Sequence, residues 1–190
     1  MRNFGYLVRR FFAFGGDWYI SSVLINMLAN GFFHLFGEGE HAIYFGLILS
    51  SLIISYLYFV YLPLRFFNGS TFIMRFMVLK VVDENGNKPS TKQMIIRYFI
   101  GCLLIEGAFY IPSVNIRSAL VITTFAGLSP YVRYIDMALM AVAVVSVIVA
   151  ATDYKSGLFR MFHDRVSHTK VVDSITVPNS KENVSKKITK

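Results

Sequence analysis

Glu106 is an acid set inside an apolar stretch, Tyr98–Ile116. An ionised carboxylate at the centre of a bilayer-spanning helix costs roughly 2.5–3.5 kcal/mol on insertion scales. Such an acid is protonated, paired or turned toward water. Glu106 is therefore a candidate proton or cation site, or else a structural bond to neighbouring polar groups or a partner subunit. A polar stripe runs upstream at four-residue steps: Trp18, Ser22, Asn26, Asn30 and His34. On a helix these positions share one slowly drifting face. Amides and imidazoles are costly against lipid, so this face is predicted to point into a helix bundle. It would serve there as an interhelical hydrogen-bond seam or as a hydrophilic path. Glu106 with Asn26, Asn30 and His34 makes the possible ion or proton site.

Other charges gather near the ends of the apolar blocks. Arg10 and Asp17 are seven residues apart, close to two helical turns, and share a face only if the helix continues through Gly15-Gly16. His163, Asp164, Arg165 and His168 follow the last apolar block. The His163-Asp164 dipeptide resembles one in metal phosphohydrolases, but that chemistry needs further His and Asp ligands. With four histidines in the chain, no metal site is predicted. No nucleophile–base arrangement, phosphate loop or nucleotide fingerprint is present, so neither an enzyme nor a cofactor is expected. Cys102, the sole cysteine, has no intramolecular disulfide partner and reads as a packing residue.

The elements that must hold these groups are membrane helices. Of 190 residues, 55% are hydrophobic and 16% charged, and mean hydropathy is +0.53. That charge is too little to cover a soluble domain, and the apolar residues fall in long blocks. The blocks predict an all-α membrane protein, a bundle of about four spans near 17–36, 42–66, 98–116 and 134–152. A short amphipathic helix over Arg2–Gly16 lies at the interface, and Gly15-Gly16 loosens the chain before the first span. Phe76–Val82 alternates as a strand, Asp83–Asn87 supplies hairpin-type turn chemistry, and Ser90 to Gln93 fits a capping box. Residues 118–132 read as an interfacial helix, a re-entrant piece or an extra span. Tyr154–Val172 reads as a basic amphipathic stretch. Residues 1–172 form the domain, and 173–190 a lysine-rich disordered cytoplasmic tail. With four spans, seventeen of the nineteen basic residues lie on one side, so both termini are predicted cytoplasmic. The net charge of +8 is explained by topology and anionic headgroups, with no nucleic-acid partner expected.

Several short motifs, in order, resemble the RDD family of membrane proteins, named for an arginine and two aspartates. Arg10-Phe11-Phe12-Ala13 followed by Asp17 is similar to its first motif. Gly69-Ser70-Thr71, then Leu79-Lys80-Val81-Val82-Asp83, with Arg97 opening the next helix, is similar to its central loop. His163-Asp164, then Thr169-Lys170-Val171-Val172, is similar to its closing motif. In place of the family's glycine-lysine pair stand Ile73-Met74, with Arg75 next, and Val78 replaces a second glycine. The resemblance implies that Arg10, Asp17 and Asp164 matter, as an interfacial charge network or an ion gate. It also singles out Gly69, Thr71, Arg75, Asp83 and Arg97.

Two functions remain open on the sequence. One is a non-enzymatic plasma-membrane protein, an accessory or regulatory subunit associating with another membrane protein or itself. Small-residue faces support it: Gly46/Ser50 and Ser51/Ser55, and Ala143/Ser146/Ala150. The alternative is an oligomeric cation or proton-coupled transporter built around Glu106.

Overall fold

A computed structural model describes residues 2–36, 40–106, 114–117, 129–153 and 159–175. Residues 37–39, most of 118–132 and the lysine-rich end lie outside these. Among the described residues the chain is mostly helical with one small two-stranded sheet. Two helices among these residues are long and apolar enough to cross a membrane, over Ile43–Arg65 and Tyr134–Thr152.

Helix α1 (Arg2–Phe36) runs without interruption through Gly15-Gly16. The predicted joint there does not form. A mid-helix glycine costs only about 1 kcal/mol relative to alanine, and tertiary packing along α1 offsets it. Gly16 is needed for that packing, since a Cβ would come within 3.0 Å of the Ile73 side chain. Ala13, Asp17, Ser21 and Ile25 form the buried face of α1, at strict four-residue spacing.

Helix α2 (Glu40–Tyr56) continues through a π-helical segment, Leu57–Tyr61, and a last turn, Leu62–Arg65. It packs against α1. A Cβ on Gly46 would sit 3.3 Å from that of Phe32, so this small residue permits the close approach.

The predicted strand over Phe76–Val82 is corrected in its first half. Phe72–Phe76 is helix α3, because Thr71 caps it through a side-chain bond from the Met74 amide. Val78 ends the turn in a left-handed conformation, φ 58°, at the position where the family carries glycine. Strand β1 is Leu79–Asp83. Asp83–Asn87 does turn, with the Asn87 N–H donating to Asp83 Oδ1 at 2.7 Å, but it does not join a hairpin. The partner strand is β2 (Thr169–Asp173), antiparallel, with Val81 opposite Val171. The stretch read as amphipathic therefore holds this strand and helix α6 (Phe162–Val166).

Between these, Ser90 and Gln93 form the predicted capping box of α4 (Thr91–Ile95). That helix widens into a π-helical segment, Ile96–Ile105, which ends on Glu106. Helix α5 is Ser129–Asp153. Ala143, Ser146 and Ala150 are its buried positions. The core gathers Ala13, Tyr58–Val60, Met74, Leu79, Val81, Met94, Tyr98 and Val171. It lies where the N-terminal half of α1 and the C-terminal end of the α2 helix meet α4 and the sheet.

Candidate functional site

Asp164 is fully buried, and its charge is met from two helices. Arg10 of α1 donates to Oδ2 at 2.5 Å, and Arg97 at the start of the π-helical segment donates to Oδ1. The Met161 N–H adds a bond to Oδ2 at 3.1 Å. Both arginines reach further: Arg10 to the Phe159 carbonyl at 2.5 Å, Arg97 to the Thr169 hydroxyl at 2.8 Å. Burial pushes the Asp164 carboxyl up, but Arg10, Arg97 and His163 outweigh it and hold it far below the usual carboxylate range. This cluster ties α1, α4 and α6 together. The sheet is fastened to the same end of α1, where Arg9 pairs with Asp173 at 2.6 Å and the Tyr6 hydroxyl donates to the Val171 carbonyl at 2.9 Å.

Asp17 does not join that network, which corrects the expectation of three charges acting together. The continuous α1 does place Arg10 and Asp17 on one side, but two turns apart they meet different elements. Asp17 Oδ1 accepts from the Tyr58 hydroxyl at 2.6 Å and the Ile73 N–H at 3.3 Å, and Oδ2 bonds Thr71 Oγ1. No cation contacts it among the described residues.

Glu106 is buried, and its partners come from α6 and α5. Oε1 accepts from the Ser146 hydroxyl and from the His163 N–H at 3.2 Å; Oε2 lies 2.5 Å from His163 Nδ1. Burial pushes the His163 imidazole down, yet the Cys102 sulfur, Asp164 and Glu106 outweigh it and raise it to about 10. The imidazole is thus a cation at neutral pH and pairs with Glu106. Gly101 makes this contact possible: a Cβ there would lie 2.6 Å from the His163 Cα.

The polar stripe is corrected most clearly. Asn26, Asn30 and His34 are exposed on this chain's surface and do not bond Glu106. The buried face of α1 runs 13-17-21-25, and the stripe is one residue on, rotated by about 100°. Hence the proposed joint site of Glu106, Asn26, Asn30 and His34 is not assembled within one chain.

The central-loop residues have separable places. Gly69 adopts φ +91° and lies so close to the Val81 carbonyl that a side chain would collide with it. Thr71 both caps α3 and bonds Asp17. Arg75 is exposed, with its guanidinium 5.5 Å from the centre of the Phe67 ring. Asp83 closes its turn, and Arg97 belongs to the Asp164 cluster. Sequence reasoning missed Tyr58 and Ser146 as partners of the two carboxylates. The signal available was a hydroxyl interrupting each span.

The ordered motifs thus build two neighbouring clusters, Arg10 and Arg97 on Asp164, and the loop residues Thr71 and Ile73 on Asp17. No curated protein and no solved structure matches the chain. The model of the RDD family matches residues 4–168, nearly the whole length, and the chain belongs to this family of multi-pass membrane proteins.

Proposed function

We propose that this protein is a non-enzymatic accessory or regulatory subunit of a plasma-membrane complex, with four spans and both termini cytoplasmic. The observation that carries the reading is the outward polar face of α1. Asn26 and Asn30 lie on the half of α1 that packs along α2, a candidate span. At membrane depth an exposed carboxamide needs a hydrogen-bonding partner. A transmembrane helix of another membrane protein supplies one.

The coupled-transporter alternative draws less support, because both Glu106 oxygens are engaged by Ser146 and His163. Extraction into a mild detergent tests the proposal. Cysteines at Asn26 and Asn30 should cross-link to a second membrane polypeptide, and Asn26→Leu with Asn30→Leu should weaken that association about tenfold or more, at roughly 1–2 kcal/mol per polar contact. Recovery of the chain alone or only with itself rejects the subunit reading. Proton or cation flux in liposomes, lost in Glu106→Gln, would replace it with the transporter.

A further inference from the structure

The helix–turn–strand unit occurs twice. Helix α3, its left-handed turn residue Val78 and strand β1 recur ninety positions later as α6, His168 and β2. Val78 and His168 have φ 58° and 52°, and each N–H donates at 3.1 Å to an arginine carbonyl, that of Arg75 or Arg165. The sequences agree at Phe72/Phe162, Arg75/Arg165 and Lys80-Val81-Val82-Asp83/Lys170-Val171-Val172-Asp173. In the sheet Val81 faces its own counterpart, Val171. An approximate two-fold axis therefore passes between them.

The correspondence reaches into the helical region. Gly16 of α1 abuts Ile73, and Gly101 of the π-helical segment abuts His163, the residue ninety positions on. Ile73 donates its N–H to Asp17, and His163 donates its N–H to Glu106. A hydroxyl from the following long helix completes each site: Tyr58 of the π-helical segment that continues α2 to Asp17, Ser146 of α5 to Glu106. Beyond each carboxylate the sequence Tyr-Ile-x-Ser-Val recurs, at 19–23 and 110–114. Glycine approach, carboxylate, hydroxyl and N–H donor are thus reproduced together.

The two sites differ in one side chain. At the second, His163 places its imidazole on Glu106. At the first, Ile73 offers only its backbone. We infer that the chain is a duplication of one unit whose carboxylate latches have diverged, so that Asp17 binds a proton where Glu106 is countered by His163. A buried carboxylate without a counter-charge is costly, and the geometry at Asp17 suits the neutral acid. Oδ1 takes both Tyr58 O–H and Ile73 N–H, as a carbonyl oxygen would. Oδ2 bonds Thr71 Oγ1, a rotatable hydroxyl that donates to the carboxylate and can instead accept from a carboxylic O–H. The titratable groups facing Asp17 are Tyr58 and, from the π-helical segment after α4, Tyr98. Arg10, on its own helix, is engaged with Asp164. Loss of the proton puts an uncompensated charge at the junction of α1 with α3 and loosens it; the Glu106 latch stays shut.

Infrared spectroscopy of the full chain in nanodiscs of phosphatidylcholine and phosphatidylglycerol tests this. At mildly acidic pH the wild type should show the carbonyl stretch of a buried protonated carboxylic acid. Isotope-labelled aspartate should shift it; labelled glutamate should not. Asp17→Asn and Ile73→His should each abolish the band, while His163→Ile should add a second one that follows the glutamate label. Absence of the band in the wild type, or a wild-type band that follows glutamate, overturns the inference without recourse to any variant. Persistence of the band in a folded Ile73→His protein also overturns it.

Discussion

Asp17 and Asp164 sit at the same end of the bundle, are both buried and are both aspartates of the family motif, yet they are held by different chemistry. Asp164 is an anion between two guanidinium groups; Asp17 is surrounded by two hydroxyls and an N–H. The difference shows that burial of a like residue at a like depth does not assign its role. The partner's charge does. Asp164 joins three helices through ion pairs that cannot be halved without stranding a cation, whereas Asp17 can become neutral in place.

Neutralising each aspartate should break this symmetry most visibly. Asp164→Asn leaves Arg10 and Arg97 buried without a counter-charge and should cost about 3–5 kcal/mol of stability. Asp17→Asn retains an acceptor for Tyr58 and Ile73 and a donor for Thr71, so about 1 kcal/mol is expected. Unfolding midpoints in nanodiscs compare them directly, and equal losses would refute the contrast. Two pH limbs arise on the Asp164 side, in addition to the loosening at Asp17 when it loses its proton. The carboxyl of Asp164 is held below its unfolded value near 4, so its contribution is present above about pH 4 and lost as pH falls further. The His163 imidazole is raised to about 10, so its contribution is complete below about pH 6.5 and lost as pH climbs toward 10. Stability should therefore be greatest between these windows, and His163→Gln should remove the alkaline limb centred on the imidazole while shifting the acid limb only slightly, since Arg10 and Arg97 still hold Asp164.

Smaller effects sharpen the comparison of the two halves. Gly101→Ala drives a Cβ into the His163 backbone and should cost about 1–3 kcal/mol. Gly16→Ala meets only the yielding side chain of Ile73 and should cost less, by the same unfolding measurement. Val78→Gly should raise stability by about 1 kcal/mol, since a β-branched residue in a left-handed conformation is strained. The smallest change belongs to the exposed pair Arg117–Asp136, 2.9 Å apart, where Asp136→Asn should alter the midpoint by no more than roughly 0.5 kcal/mol and less in high salt.

Much of the architecture was legible in the residues because it depends on local or one-dimensional properties. Apolar length marked Ile43–Arg65 and Tyr134–Thr152, and Ser90 with Gln93 announced a helix start. Motif order indicated the family. Local reading erred where a distant partner overrode propensity: the helix ran on through Gly15-Gly16, with Gly16 packed on Ile73, and β1 found its mate beyond two further long segments.

The sequence by itself determined that long apolar helices alternate with a charged, strand-forming end, since hydropathy and turn chemistry act over a few residues at a time. Which acid meets which counter-charge was decided only by the tertiary structure. Electrostatic pairing depends on angstroms across helices remote in the chain, and a rotation of about 100° on α1 separates a buried latch from an outward amide face.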